Sequence, residues 1–217
     1  QVVEEVIQPS PFLAETIVEG VANNAQIARK IKPAVEKQLF ERVSEAAIAM
    51  ALHRMSKELR APAFGLRFLK EMIDVTVRSN LVELVFSNSD APELLDALLR
   101  SAKKRKDTFV NFSRGLHESL LIINREFEGE LTDVIRKQKN LRRKDGLSAI
   151  TMRLPEASLN VPGVYAPILK AIAHEGISFV EVMSVHTEFS ILFEDKDIDR
   201  AFSVLKRITS QTRRKDM

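Results

Sequence analysis

The segment Asn160-Val161-Pro162-Gly163-Val164-Tyr165 carries residue types suited to holding a small anion. Proline fits a first helical position, where its missing N–H would have no partner, and asparagine caps free amides. Glycine removes the Cβ that would keep a ligand from the backbone. The spacing predicts a helix over 162–174 that opens under Asn160, with unsatisfied N–H groups and the positive end of the helix dipole facing a carboxylate. The dipole alone contributes about 0.3–2 kcal/mol to such an interaction. The alternative is an ordinary helix start in a ligand-free dimerisation module.

Other chemistry is poorly provided for. The chain of 217 residues has no Cys, which removes disulfides, thiolate metal sites and Cys nucleophiles, and its four His (His53, His117, His174, His186) are scattered. It contains no G-x-x-x-x-G-K-[ST] and no G-x-S-x-G, and its seven Gly leave no phosphate loop. Glu118 with Glu126, or Asp195 with Asp197, pair only on paper and read as strand ends and a helix N-terminus. The expectation is a protein that is not an enzyme, with no catalytic residue, metal or cofactor. No apolar run approaches the roughly 20 residues that span a bilayer, and Glu4 and Glu5 do not suit a secretory leader, so a cytoplasmic location without membrane contact is expected.

Lys and Arg number 33 against 30 Asp and Glu, a net charge of +3 that is unevenly spread. Between Asn24 and Arg60 the bases Arg29, Lys30, Lys32, Lys37, Arg42, Arg54, Lys57 and Arg60 outweigh Glu36, Glu41, Glu45 and Glu58. The runs 100–106 and 136–144 are denser still and read as solvated helix ends or linkers.

The elements that would position these residues follow from apolar spacing. A helix opens after Ser10 with Pro11 in its first turn. A second, capped by Asn23 or Asn24, carries Ile27, Ala28 and Ile31 until Pro33 interrupts it, and a third starts at Ser44 with Ala47, Ile48, Ala51, Leu52, Met55 and Leu59 on one stripe. Beyond Pro62 the period falls to two. Strands are expected at Val75–Val77 and Leu81–Phe86 around a Ser79-Asn80 turn, then at 108–113 and 119–124, with helices at 91–102 and 127–137. The order β-α-β-β-α recurs: a strand at 147–154, a helix, strands at 178–184 and 188–193, and a helix at 198–208. Two such units, each short of a final strand, form the skeleton of tandem ferredoxin-like domains that supply each other's missing strands or pair across a dimer.

The second repeat closely resembles the C-terminal ACT domain of aspartate kinases. The likeness rests on Gly146 to Pro155 (GLSAITMRLP), on the N-x-P-G-V segment from Asn160, on a small-residue helix closing at Glu175-Gly176-Ile177, and on Ser190-Ile-Leu-Phe leading into an acidic helix start. In that family such loops bind a feedback amino acid between ACT units. The resemblance therefore implies a ligand site of Asn160, Val161, Pro162, Gly163, Val164 and Tyr165, completed by Val182, Met183 and Ser184 on the following strand. His186 falls where the family often has a polar residue. The first repeat has Asp90-Ala91-Pro92-Glu93 at the matching place, and Glu93 in place of Gly weakens the case for a ligand there. Kinase activity is not implied, because only about 70 residues of helical character precede the repeats and no nucleotide-binding domain is visible.

That helical head looks like a helix-turn-helix, with the Ser44 helix presenting Glu45, Ala46, Ala49 and His53 to a major groove and Arg29, Lys30, Lys32, Arg54 and Lys57 near phosphates. The strands at 75–77 and 81–86 would be its wing. The exposed face of the Ser44 helix is poor in base-reading residues, so a helical dimerisation or partner-docking domain is the alternative.

The expected architecture is α+β: a helical, winged or unwinged helix-turn-helix-like domain at 1–70, then two ferredoxin-like βαββαβ ACT-type units at 71–140 and 141–217. The expected function is non-catalytic regulation by a small ligand, an amino acid above all, in a homodimer. The alternatives are a DNA-binding transcriptional regulator with an ACT effector domain, or a regulatory subunit of a separate biosynthetic enzyme such as aspartate kinase.

Overall fold

Apolar residues three and four positions apart wind the N-terminal part of the chain into helices. A computed structural model describes residues 2–18, 20–58, 74–102, 108–138 and 141–214. The chain divides into two units, 1–63 and 64–217.

The first unit contains α1 (Val2–Ile7), α2 (Pro11–Val18), α3 (Asn24–Leu39) and α4 (Glu45–Glu58). Ile7, Ile17, Ile27, Ala28, Ile31, Val35, Ile48 and Leu52 make its core. The Asn23 side chain accepts from the amides of Ala25 and Gln26, and the Ser44 hydroxyl accepts from Ala47 N at 3.1 Å, so both expected caps are present. Pro33 does not end α3, contrary to the sequence expectation. It occupies an exposed position where water can serve the carbonyl its missing N–H abandons, while Ile31 and Val35 hold the helix against the core on the other side. Helix α1 was not expected, although Val2, Val3, Val6 and Ile7 have helical spacing and pack on the core. On α4, Ala47 is exposed and Ala49 packs against the core instead; Leu59 lies outside the described residues.

The second unit is built on one antiparallel sheet in the order β2-β3-β1-β4-β6-β5. Its strands are β1 (Asp74–Ser87), β2 (Val110–Arg114), β3 (Glu118–Asn124), β4 (Arg142–Arg153), β5 (Glu181–Val185) and β6 (Glu188–Glu194). Helix α5 (Ala91–Ala102) and the short α6 (Arg125–Glu128) and α7 (Thr132–Ile135) belong to the first βαββα repeat; α8 (Ala166–His174) and α9 (Ile198–Arg214) belong to the second. The helix expected at 127–137 is broken by a 3₁₀ turn at Gly129–Leu131.

The repeats join through their first strands. β1 and β4 pair antiparallel, so each lies beside the other where a ferredoxin-like unit would place its own last strand. The expected break at Ser79-Asn80 is a β-bulge inside a continuous β1: Asn80 adopts φ 61°, and the register steps from Arg78↔Ala149 to Leu81↔Leu147. Asparagine tolerates this left-handed conformation better than most residues. A second bulge, at Gly146 of β4 (φ 69°), restores the register at Glu83↔Lys144. The bulge re-phases the alternation, so Val75 joins the helix-packed face with Val82, Leu84 and Phe86 while Leu81 turns to the other face. That phase change is what imitates a turn in the sequence. Because β1 is a central strand of this sheet, it is no wing of the helical unit.

Two clusters lie under the helices, one around Val82, Leu84, Phe86, Leu94 and Phe127, the other around Ile150, Met152, Ile168, Phe189 and Phe193. The opposite face carries a third: Leu81, Ile122, Leu147, Ala149, Met183 and Leu192, with Phe109 and Val180 packed on it from the two edges of the sheet. The sheet is thus curled around this face. Part of the basic run 136–144 is strand rather than linker, since Arg142, Arg143 and Lys144 open β4. Residues 103–107 of the other basic run, 139–140, and the linker around Pro62 lie outside the described residues.

Leu147 is fully buried beside Leu81 where the repeats meet. Leu147→Ala is expected to cost about 2–5 kcal/mol, read as a lower midpoint in urea unfolding followed by circular dichroism.

Candidate functional site

The long connection 154–165 between β4 and α8 holds the N-x-P-G-V segment, whereas the first repeat passes from β1 to α5 through 88–90 alone. Helix α8 starts at Ala166, four residues later than Pro162, and neither Asn160 nor Tyr165 caps it. Its first amides are not free: Ala166 N donates to Gly163 O at 3.0 Å, Pro167 has no N–H, and Ile168 N donates to Tyr165 O at 3.1 Å. The helix-dipole cradle expected at Pro162 is therefore absent. Residues 162–165 form a turn with Gly163 at φ 69°, a conformation glycine adopts at no steric cost. Among the described residues the amides of Gly163 and Tyr165 take no backbone acceptor.

This turn meets β5. The Tyr165 ring stacks on Phe189, centroids 4.0 Å apart and planes 9° apart, and its hydroxyl lies 3.0 Å from Ser184 Oγ. Asn160, Pro162 and Gly163 are exposed, Val161 is partly exposed and Val164 is buried. Alternation along β5 exposes Val182 and Ser184 and sends Met183 into the cluster on the opposite face. The structure thus brings Tyr165 and Ser184 together and separates Met183 from them. His186 sits in the β5–β6 turn with φ 53°, exposed. In the first repeat α5 begins directly at Ala91, and Glu93 pairs with Lys137 at 3.2 Å.

In the helical unit the connection between α3 and α4 is 40–44, with Phe40 95% exposed at φ 56°. Arg29 pairs with Glu45 at 3.4 Å and Lys32 with Glu36 at 3.9 Å, while Lys30 and Arg54 are exposed. The Lys57 side chain is outside the described residues. Of the four residues expected to face a groove, Ala46 and His53 are exposed, Glu45 is half-buried and Ala49 is partly buried against the core.

The curled face of the sheet holds a site that sequence reasoning missed. Two cavities flank its apolar centre. One, of about 320 Å³, is lined by Thr76, Arg78, Asn111, Thr151, Glu188 and Ser190; the other, of about 570 Å³, by Glu83, Ser113, Glu118, Arg142, Lys144 and Glu181. Glu83 Oε2 is buried with no hydrogen-bond partner among the described residues. Burial first, then the Glu181 carboxylate, push the Glu83 carboxyl above its ordinary pKa, against the pull of Lys144 and Arg142. Glu194, by contrast, is held down to about 2 by hydrogen bonds from Lys196 and Lys144. The available signal was period two: with Val82, Leu84 and Phe86 inward, Glu83 must face the other side. Among the described residues no group of three or more His, Asp or Glu is placed to hold a metal ion, and no helix is long and apolar enough to cross a membrane.

Part of this chain's fold is similar to part of the fold of aspartate kinases. The chain matches the enzyme of Clostridium acetobutylicum, described as an allosteric enzyme, with a TM-score of 0.52 at 10% identity over 64% of this chain and 35% of that one. The enzyme of Synechocystis gives 0.51 at 13% identity over 64% and 27%. Aspartokinase III of E. coli, solved with aspartate and ADP, gives 0.50 at 12% over 63% and 33%. This chain spans about a third of these proteins, and at such identities the likeness is one of fold: mixed helix and antiparallel sheet. No protein-family model and no curated protein sequence matches the chain.

A carboxyl whose folded pKa is raised binds protons more tightly in the native state, so its contribution favours folding at low pH and is lost as pH rises through the folded pKa. Glu83→Gln is therefore expected to raise the melting temperature at pH 7–8 and to lose that advantage by pH 4, as thermal melts across pH will register.

Proposed function

We propose that this chain is a non-catalytic regulatory protein whose two ACT-like units, 71–140 and 141–217, sense an amino acid, and whose helical segment 1–70 relays the result. The observation that carries this reading is the exposed Gly163 turn, with two donor amides, beside the Tyr165–Ser184 contact. The amides of Gly163 and Tyr165 receive the ligand carboxylate, Asn160 adds a side-chain amide, Val161, Pro162 and Val164 shape the turn, and Val182 and Ser184 offer the strand side. The N-x-P-G-V resemblance and the shared fold support this placement. The first unit has no such turn where α5 starts, and Glu93 is engaged by Lys137, so this site is placed in the second unit.

Two routes of output fit the helical unit. Exposed Lys30 and Arg54 on neighbouring helices favour DNA phosphates, with Arg29, Lys32 and Lys57 as further contacts. The shared fold favours instead a separate enzyme such as aspartate kinase as the partner. In either case the protein works as a homodimer in the cytoplasm, because the edge strands β2 and β5 are unpaired within the described sheet.

Calorimetric titration with the twenty amino acids is expected to give one saturable ligand whose affinity falls at least tenfold in Gly163→Val; no binding at millimolar concentration by the folded protein would refute the sensor. A duplex DNA titration at two salt concentrations separates the outputs: affinity that falls steeply with salt supports DNA, and no affinity at low salt supports the enzyme partner. Sedimentation at micromolar concentration is expected to give a dimer.

A further inference from the structure

We propose that the larger cavity on the curled sheet face, between Glu83 and Glu181, binds a small molecule that presents a primary ammonium group. The carboxylates of Glu83 and Glu181 line it. Glu83 Oε2 is buried and unpartnered among the described residues, the Glu181 carboxylate repels it, and the Glu181 side chain makes no hydrogen bond or ion pair among the described residues. The nearby cations are committed elsewhere: Arg142 donates to Glu118 at 2.7 Å, Lys144 pairs with Glu194 at 2.9 Å, and Arg143 binds Glu128 at 2.9 Å and Asp145 at 2.7 Å. A buried acceptor left open costs stability, so an occupant that brings donors is favoured.

Comparison of the two halves isolates the feature. Leu81 and Leu147 are paired counterparts, and two positions further on the first half has Glu83 where the second has Ala149. In the smaller cavity, which both repeats line, the hydroxyls of Thr151 and Ser190 satisfy each other at 2.7 Å. Among the described residues a buried carboxylate oxygen is left open at the larger cavity alone. A metal fits poorly, since no cluster of three or more ligating side chains is present among the described residues. An ammonium supplies three donors and one positive charge, enough for Glu83 Oε2 and Glu181 together. A cavity of about 570 Å³ also has room for the carbon chain that carries it. Free amino acids and diamines share this group. The site lies on the face opposite Tyr165 and does not depend on the sensor reading above.

The test is ¹⁵N-resolved NMR titration of the full chain with putrescine, with the twenty amino acids, and with succinate as an ammonium-free control. Saturable shifts are expected at the amides of Glu83, Ser113 and Glu181 with putrescine or an amino acid and not with succinate. An amino acid that binds where putrescine does not assigns the carboxylate a part as well. Glu83→Gln and Glu181→Gln, folded by circular dichroism, are each expected to raise the dissociation constant at least tenfold. Shifts confined to Gly163 and Ser184 would overturn this proposal while supporting the sensor site. No shifts at Glu83 with any amine, or unchanged affinity in both variants, would also overturn it.

Discussion

The antiparallel pairing of β1 with β4 is the constraint from which the second unit takes its form. Each βαββα repeat exposes the edge of its first strand, where unpaired N–H and C=O groups demand a partner. The repeats meet that demand in each other, with Leu81 opposite Leu147 at the centre and the bulges at Asn80 and Gly146 on either side. The bulges cancel in register but each shifts the alternation of its strand. This shift is what lets one strand serve two clusters under the helices and a third on the curled face.

The two faces of the sheet then support different chemistry. On the helix side, the long connection 154–165 gives the second repeat a glycine turn whose Gly163 and Tyr165 amides take no backbone acceptor among the described residues, and the Tyr165 ring stacks on Phe189. The first repeat, with its short connection, has nothing equivalent. On the curled face, Arg142 and Lys144 of β4 stand directly across from Val85 and Glu83 of β1, so charges that look like a solvated linker in the sequence line a cavity with three carboxylates. The repeats therefore differ in the turn at 162–165 and in their lining of the curled face, while each keeps an apolar cluster under its helices.

Much of the order of elements was legible. Caps at Asn23 and Ser44, the apolar stripe of 91–102, and alternation in 119–124 and 188–193 are local signals, and local backbone preferences preserved them. The misread places share a cause. Pro33, Asn80 and Pro162 are each strong local punctuation, yet Pro33 is carried through by the packing of Ile31 and Val35, Asn80 by pairing to β4, and the helix expected at Pro162 is displaced by the turn at Gly163. In each case contacts with residues distant in sequence, or hydrogen bonds within an irregular segment, outweigh a preference worth a few kcal/mol at most.

The candidate sites divide the same way. The residues Asn160 to Tyr165 announced themselves because glycine and proline restrict the backbone wherever they stand, so sequence alone singled out the segment and the βαββα repeat that contains it. Which amides lack an acceptor among the described residues, which face Met183 takes, and the placing of Glu83 and Glu181 on one cavity were decided only by tertiary structure. The reason is that burial and strand register, which set the electrostatics of a carboxylate, belong to pairs of residues far apart along the chain.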